Sequence, residues 1–307
     1  MTEQNIQRPK RSILMLVTGI LGISMSAIFV RYSQAPSLLT AAYRLIWTVL
    51  LMSPAVFLKR ETRRELLEIK PRTALLSAAS GVLLALHFAT WFESLRHTSV
   101  ASSTMIVCTE AIWVALGYRV FLKGRLGAKA VLAMAVTLAG SLLIAWSDSG
   151  AGGGSLRGDL LALAAAIAVG AYTLLGRVVR GSTGTAAYTY IVYVSASVAL
   201  AAAVAVKGYP FFGYGWSGII SGLLLAVFST ILGHSIFSWC LKYFSPAFVS
   251  ASKLCEPVIS SVFAAFLFGE IPTTLQVLGG AIVLAGVIYY TVIEVRTPNV
   301  VEDKNKA

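Results

Sequence analysis

Residues 99–122 read SVASSTMIVCTEAIWVALGYRVFL, and residues 245–268 read SPAFVSASKLCEPVISSVFAAFLF. Each run is predominantly apolar and carries one carboxylate near its middle, Glu110 in the first and Glu256 in the second. A helix rises about 1.5 Å per residue, so either run is long enough to cross the roughly 30 Å hydrocarbon core of a bilayer. A surface helix of a soluble domain of that length would show one apolar stripe and one polar face. Neither run does.

Working outward, further apolar runs fill nearly the whole chain. The predicted spans are 12–31, 37–58, 72–95, 99–122, 127–146, 156–180, 185–206, 215–239, 244–268 and 273–293, ten in all. The chain has 307 residues, of which 57% are apolar and 12% charged, against roughly 25% charged in soluble domains. Its mean hydropathy is +0.78. The expectation is an all-α polytopic membrane protein with the lipid bilayer as its surroundings. Arg8, Lys10 and Arg11 ahead of the first run resemble the start of a signal peptide, but the run lacks a small-x-small cleavage site. It reads as an uncleaved first helix. Cys108, Cys240 and Cys255 all fall inside spans, which argues against structural disulfides.

The net charge of +12 invites a nucleic-acid reading, and its distribution removes that reading. Eighteen Lys and Arg fall on the side that holds both termini, among them Lys59, Arg60, Arg63, Arg64, Lys70 and Arg72; four fall on the other side. Excess positive charge marks the cytoplasmic side of a membrane protein. Both termini are therefore expected in the cytoplasm and the protein in the cell membrane, the inner membrane of a bacterium.

A shift of 146 residues aligns Leu95–Ser141 with Leu241–Val287 without a gap, with ten identical pairs that include Ser99/Ser245, Glu110/Glu256 and Gly140/Gly286. A carboxylate within a span is rare, so the matched Glu carries more weight than matched Ala or Leu. A repeat of five helices re-enters the membrane from the opposite face, which makes the repeats inverted. Lys123, Arg125 and Lys129 align with Gly269, Ile271 and Leu275, as expected if the second loop faces outward. The predicted division is 1–146 for the first repeat, 147–155 for a Gly/Ser linker, 156–293 for the second repeat and 294–307 for a cytoplasmic tail. Inverted repeats recur in secondary transporters, where exchanging the conformations of the halves opens one central site to either face.

The stretch Leu267-Phe268-Gly269-Glu270-Ile271 through Gln276, Gly279-Gly280 and Gly286 resembles the end of an EamA-type repeat of the drug/metabolite transporter superfamily. Phe88-Ala89-Thr90-Trp91-Phe92 to Ser99-Val100-Ala101-Ser102-Ser103 is similar to the third-to-fourth span region of the same family. The resemblance covers nearly the whole chain. It implies ten helices, inward termini and transport, often export, of amino acids or other small metabolites. The family's acidic residue after span nine is Glu270 here, with Gly124 opposite it in the first half, so a gating role there has support in one half only.

Glu110 and Glu256 at mid-span cost about 2.5–3.5 kcal/mol each to insert if charged, so each must face a cavity, find a partner or hold a proton. Together they are candidates for binding a substrate ammonium or a proton. Lys253 lies three residues before Glu256, on the same helical face, and is expected to pair with it. Glu110 has Val107 at the aligned position, which leaves it the candidate proton-coupling site unless Arg44 or His87 reaches it. Arg44 either snorkels to the headgroups or faces inward toward Glu110 or a substrate carboxylate. His87 and His234 are candidate proton relays or substrate donors, with hydrogen-bonded core residues as the alternative. Trp91 and Tyr172, with Trp113, Tyr193 and Trp239, are candidates for an aromatic cavity wall. Pro257 is expected to free the carbonyl of Lys253 and kink its helix. Ala133, Gly140, Gly279 and Gly286 read as packing seams, internal or between subunits of a homodimer, a monomer being the alternative.

The sequence therefore points to a secondary transporter of a small-molecule substrate, with no cofactor, no metal and no nucleic-acid partner. A lipid-linked sugar flippase would need a laterally open groove. An intramembrane enzyme would need a nucleophile or metal set, and neither H-x-x-x-H nor H-E-x-x-H spacing occurs.

Overall fold

The structure is a computed structural model that describes residues 9, 11–98, 103, 106–148, 156–268 and 272–296. Glu270, residues 149–155 of the predicted linker and the tail beyond Arg296 lie outside the described residues. Among those described, every regular element is helical. In chain order these are α1 (Ser12–Ser24), α2 (Ser26–Tyr32), α3 (Ser37–Leu58), α4 (Arg60–Leu67), α5 (Pro71–Ser94), α6 (Glu110–Val120) and α7 (Ala128–Asp148). There follow α8 (Leu156–Arg180), α9 (Thr185–Val206), α10 (Gly215–Leu224), a π-helical segment Leu225–His234, α11 (Ser235–Cys240), α12 (Pro246–Ser252), α13 (Glu256–Phe268) and α14 (Thr274–Arg296).

Seven segments are long and apolar enough to cross a bilayer: Ser12–Val30, Ser37–Leu58, Pro71–Ser94, Leu156–Arg180, Thr185–Val206, Gly215–Cys240 and Thr274–Arg296. The other three predicted spans are not among these seven. The fourth contributes the 11 residues of α6, and residues 99–102, 104 and 105 before it are not described. The fifth is α7, 21 residues long, whose apolar stretch includes Ala128–Ile144. The ninth is divided, with a 3₁₀ turn at Lys253–Cys255 between α12 and α13.

The distribution of side chains is that of a protein in lipid. Leu75, Val198 and Ile288 point outward with 69%, 65% and 65% of their surface exposed, while hydroxyls such as Ser24, Thr48, Ser80, Ser229 and Thr230 are fully buried. Those inner hydroxyls knit helices together, as in Ser80 to Tyr188 (2.7 Å), Tyr172 to Ser238 (3.0 Å) and Tyr193 to Ser235 (2.9 Å). Hydrogen bonds of this kind join helices where lipid supplies no hydrophobic drive between them.

The α7–α14 seam shows how the halves meet. A methyl group added at Gly140 would lie 2.8 Å from the carbonyl oxygen of Gly279 and 2.9 Å from the Val283 side chain, and one added at Gly279 would lie 2.8 Å from Ile144. One added at Gly286 would collide with Thr137. As α7 advances through Thr137, Gly140 and Ile144, its partners on α14 retreat through Gly286, Val283 and Gly279, so the helices run antiparallel. The shift of 146 converts the Gly140–Val283 contact into Gly286–Thr137, and both exist. The same shift converts the contact of Val114 with Gly170 into the hydrogen bond from Ser260 Oγ to the Ser24 carbonyl (2.9 Å). Contacts of the two halves map onto each other at one constant shift, and the α7–α14 pair runs antiparallel. The glycine seam is thus internal to the chain.

Gly140→Ala places its methyl group against backbone on the facing helix and is expected to cost about 1–3 kcal/mol. The melting temperature of the detergent-solubilised protein should fall accordingly. Gly127→Ala, which meets nothing within 4 Å, should leave it unchanged.

Candidate functional site

The site begins at the first residue of α6. Glu110 Oε1 accepts from Lys253 Nζ (2.7 Å), from Ser250 Oγ (2.6 Å) and from Thr173 Oγ1 (3.3 Å). The Lys253–Glu110 ion pair is largely buried, its side chains 12% and 10% exposed. This corrects the expectation that Lys253 neutralises Glu256 on its own helix. The physical reason is tertiary: α12 packs against α6, and the turn after α12 delivers Ser250 and Lys253 together onto the carboxylate opposite. Helical spacing reports only neighbours on one helix. The two further donors, Ser250 and Thr173, were missed; Ser250 had one legible signal, its place one turn before Lys253.

Glu256 stands differently. It lines the same cavity as Glu110, and among the described residues no hydrogen bond or ion pair reaches its carboxylate. The Lys253 carbonyl is not free either. It accepts the Glu256 N–H in the 3₁₀ turn, because Pro257, lacking an N–H, leaves it without its usual α-helical donor and the turn tightens by one residue. The break predicted at Pro257 is present; the exposed carbonyl is not.

Glu110 and Glu256 face one cavity. Its wall includes His87, Trp91, Glu110, His234, Lys253 and Glu256. His87 Nδ1 lies 3.0 Å from the Ala165 carbonyl. A carbonyl only accepts, so Nδ1 carries the proton and Nε2 keeps a lone pair. The His87 ring stacks on Trp91 with centroids 5.7 Å apart and planes at 20°. Trp91 Nε1 is buried without a hydrogen-bond partner among the described residues. His234 closes the π segment and meets Phe88 (5.4 Å) and Tyr172 (6.1 Å) edge-on.

Two predicted site residues stand behind this wall. Arg44 neither snorkels nor pairs with Glu110. It is 1% exposed; Nε donates to Thr230 Oγ1 (2.7 Å), Nη1 to Ser26 Oγ (3.4 Å), and Cζ sits 4.0 Å from the Phe88 ring centre. The π segment presents Thr230 to it, with the Thr230 and Ser235 hydroxyls bonded to carbonyls five residues earlier. Tyr172 is held by Ser238 and does not line the cavity. Among the described residues no three His, Cys, Asp or Glu side chains converge as a metal ion requires.

The sequence profile of the EamA-like transporter family matches the chain twice, over residues 10–146 and 156–292. The chain belongs to the EamA-like transporter family. An uncharacterized transporter of Clostridium kluyveri is 24% identical over 200 residues, 64% of each chain. An uncharacterized protein of Pseudomonas aeruginosa is 25% identical over 288 residues, 90% of this chain and 95% of that one. A crystal structure with 17% identity superimposes with a TM-score of 0.78 over 94% of this chain and 99% of the other, a likeness of fold. This EamA protein is a multi-pass membrane transporter.

Breaking a buried ion pair by deleting one partner costs about 3–5 kcal/mol, while removing both charges costs far less. Lys253→Met is therefore expected to lower the melting temperature of the EamA protein strongly, and Lys253→Met with Glu110→Gln to recover most of the loss. Additive losses would show that the two side chains do not interact.

Proposed function

We propose that this EamA protein is a secondary active exporter of amino acids or similar small polar metabolites, and that Glu256 is the group at which proton and substrate exchange. In this reading ten membrane helices form two inverted five-helix repeats, 1–146 and 156–293, with both termini in the cytoplasm of a bacterial cell. The repeats alternate around the cavity between Glu110 and Glu256. The antiparallel, exchange-symmetric α7–α14 seam supports the inversion, because a twofold axis lying in the membrane plane reverses helix direction.

The observation that carries the proposal is the unequal treatment of two equivalent carboxylates. Glu110 receives Thr173, Ser250 and Lys253. In the sequence, the positions 146 residues before those donors are Ala27, Thr104 and Val107. Neither Ala27 nor Val107 has a side-chain donor to offer. A carboxylate at that depth is tolerated when it is protonated or when a cation sits on it. Proton and substrate ammonium then compete for one position, and competition of that kind couples an outward-moving substrate to an inward-moving proton. Glu110, already neutralised by Lys253, serves as the fixed wall. His87 Nε2 and the Trp91 N–H supply an acceptor and a donor beside it.

The test is flux in proteoliposomes across a panel of amino acids, amines and sugars, with and without an imposed pH gradient. Wild type should accumulate at least one amino acid or amine only when the gradient is present. Glu256→Gln should abolish gradient-driven accumulation and leave the melting temperature within a few degrees of wild type. Gradient-driven accumulation that survives Glu256→Gln would remove Glu256 from the coupling step.

A further inference from the structure

The connection between α11 and α12 is a turn of five residues, Leu241–Ser245; it lies at the end of α8, where Arg177 reaches it, and the chain leaving α8 meets α4 at Gly184, whose N–H donates to Glu65 Oε1 (2.5 Å). Connections ordinarily run over the surface, where water serves their backbone. This one is tucked inside. Leu241 and Phe244 are 2% and 0% exposed, and Ser245 is buried as well.

Charged side chains from two other helices take the place of water. On α8, Arg177 Nη1 donates to the carbonyls of Leu241 and Phe244, the latter at 3.3 Å, and Arg180 Nε donates to the Ser238 carbonyl (3.0 Å). On α14, Glu294 Oε1 accepts the Ser245 N–H (2.6 Å) and Oε2 accepts the Ser245 hydroxyl (3.0 Å). Ser245 Oγ in turn accepts the Phe248 N–H (3.2 Å) and caps α12. The carbonyls at the end of α11 and the N–H groups at the start of α12 are the ones a helix cannot satisfy itself. Water would serve them equally well if the turn withdrew, so the buried position is held by Arg177 and Glu294 rather than by backbone necessity. The turn leads directly into α12 and the 3₁₀ turn, which carry Ser250 and Lys253 to Glu110. Displacing the turn displaces the cavity wall.

We infer that Arg177 and Glu294 form a gating clamp: engaged on the Leu241–Ser245 turn, they close the α4 face of the protein to the cavity, and their release opens it. The inference rests on the alternating-access reading above. In sequence, the positions 146 residues before Arg177, Ser245 and Glu294 are Arg31, Ser99 and Asp148, the same basic, hydroxyl and acidic types.

Cys108 lines the cavity and serves as the reporter, with Cys240 and Cys255 replaced by Ser. A membrane-impermeant methanethiosulfonate is applied to the α4 face or to the opposite face of sealed vesicles, and the rate of Cys108 labelling is read by mass. Glu294→Gln and Arg177→Gln, made separately, should each raise labelling from the α4 face by roughly tenfold, the shift in a two-state equilibrium expected when one charge-assisted hydrogen bond is lost from the closed form. Labelling from the opposite face should fall or stay level. Because this readout needs no transported substrate, a labelling shift without measurable flux supports the clamp and counts against the transport assignment alone. Labelling unchanged from both faces in folded variants overturns the clamp and leaves Arg177 and Glu294 as static caps. An equal rise from both faces also overturns it, since that reports loosening.

Discussion

A charge below the lipid headgroups has to be answered by something, and Lys253 answers Glu110. The pair joins the two repeats: its carboxylate opens α6 in the first, and its ammonium leaves the 3₁₀ turn in the second. Ser250 and Thr173 complete the shell around the same oxygen. In water such a pair would contribute little. With one partner missing, in a protein whose outer surface is leucine, valine and isoleucine, it would leave a buried charge bare. The inward positions of α6, α8 and α12 follow from that constraint, and so does the location of the cavity, because each of these elements contributes to its wall.

Close packing does the rest. Where α7 meets α14, glycines let the backbones approach until an added methyl group would collide. The hydroxyl pairs between Ser80 and Tyr188 and between Tyr193 and Ser235 hold α5, α9 and α11 in register. Arg44 is embedded in this scaffold with no carboxylate bonded to it among the described residues. A threonine, a serine and the face of Phe88 accommodate it instead, and the π segment is what turns Thr230 toward it.

Much of this was legible in the chain itself, and the pattern of what was not is physical. Lipid forces long apolar runs, so seven of the ten predicted spans could be read from composition, and the glycines at 140, 279 and 286 announced a close crossing. Duplication made Glu110 and Glu256 stand out, and His87, His234 and Trp91 do share a cavity with them. Residue spacing failed where partners come from distant segments. Lys253 is three residues from Glu256 yet bonds across to Glu110, 143 positions away. Pro257 announced a break but not the tightened turn that reclaims the Lys253 carbonyl. Nothing in LAVFSTILGH suggests a π segment, because a shift from i+4 to i+5 bonding is decided by what packs around it. Tyr172 reads as a wall residue by type, but its hydroxyl is claimed by Ser238 and its ring stands behind His234.

The difference between Lys253 and Val107 bears on why two halves share one polypeptide. Two identical five-helix subunits, assembled as a dimer, would place a lysine beside both glutamates or beside neither. In the first case the chamber would cancel itself and hold nothing; in the second, two like charges would confront each other across it. In one polypeptide the two sides need not match, and the lysine stands on one side only, with Val107 at the shifted position. The result is one lysine for two glutamates around the chamber.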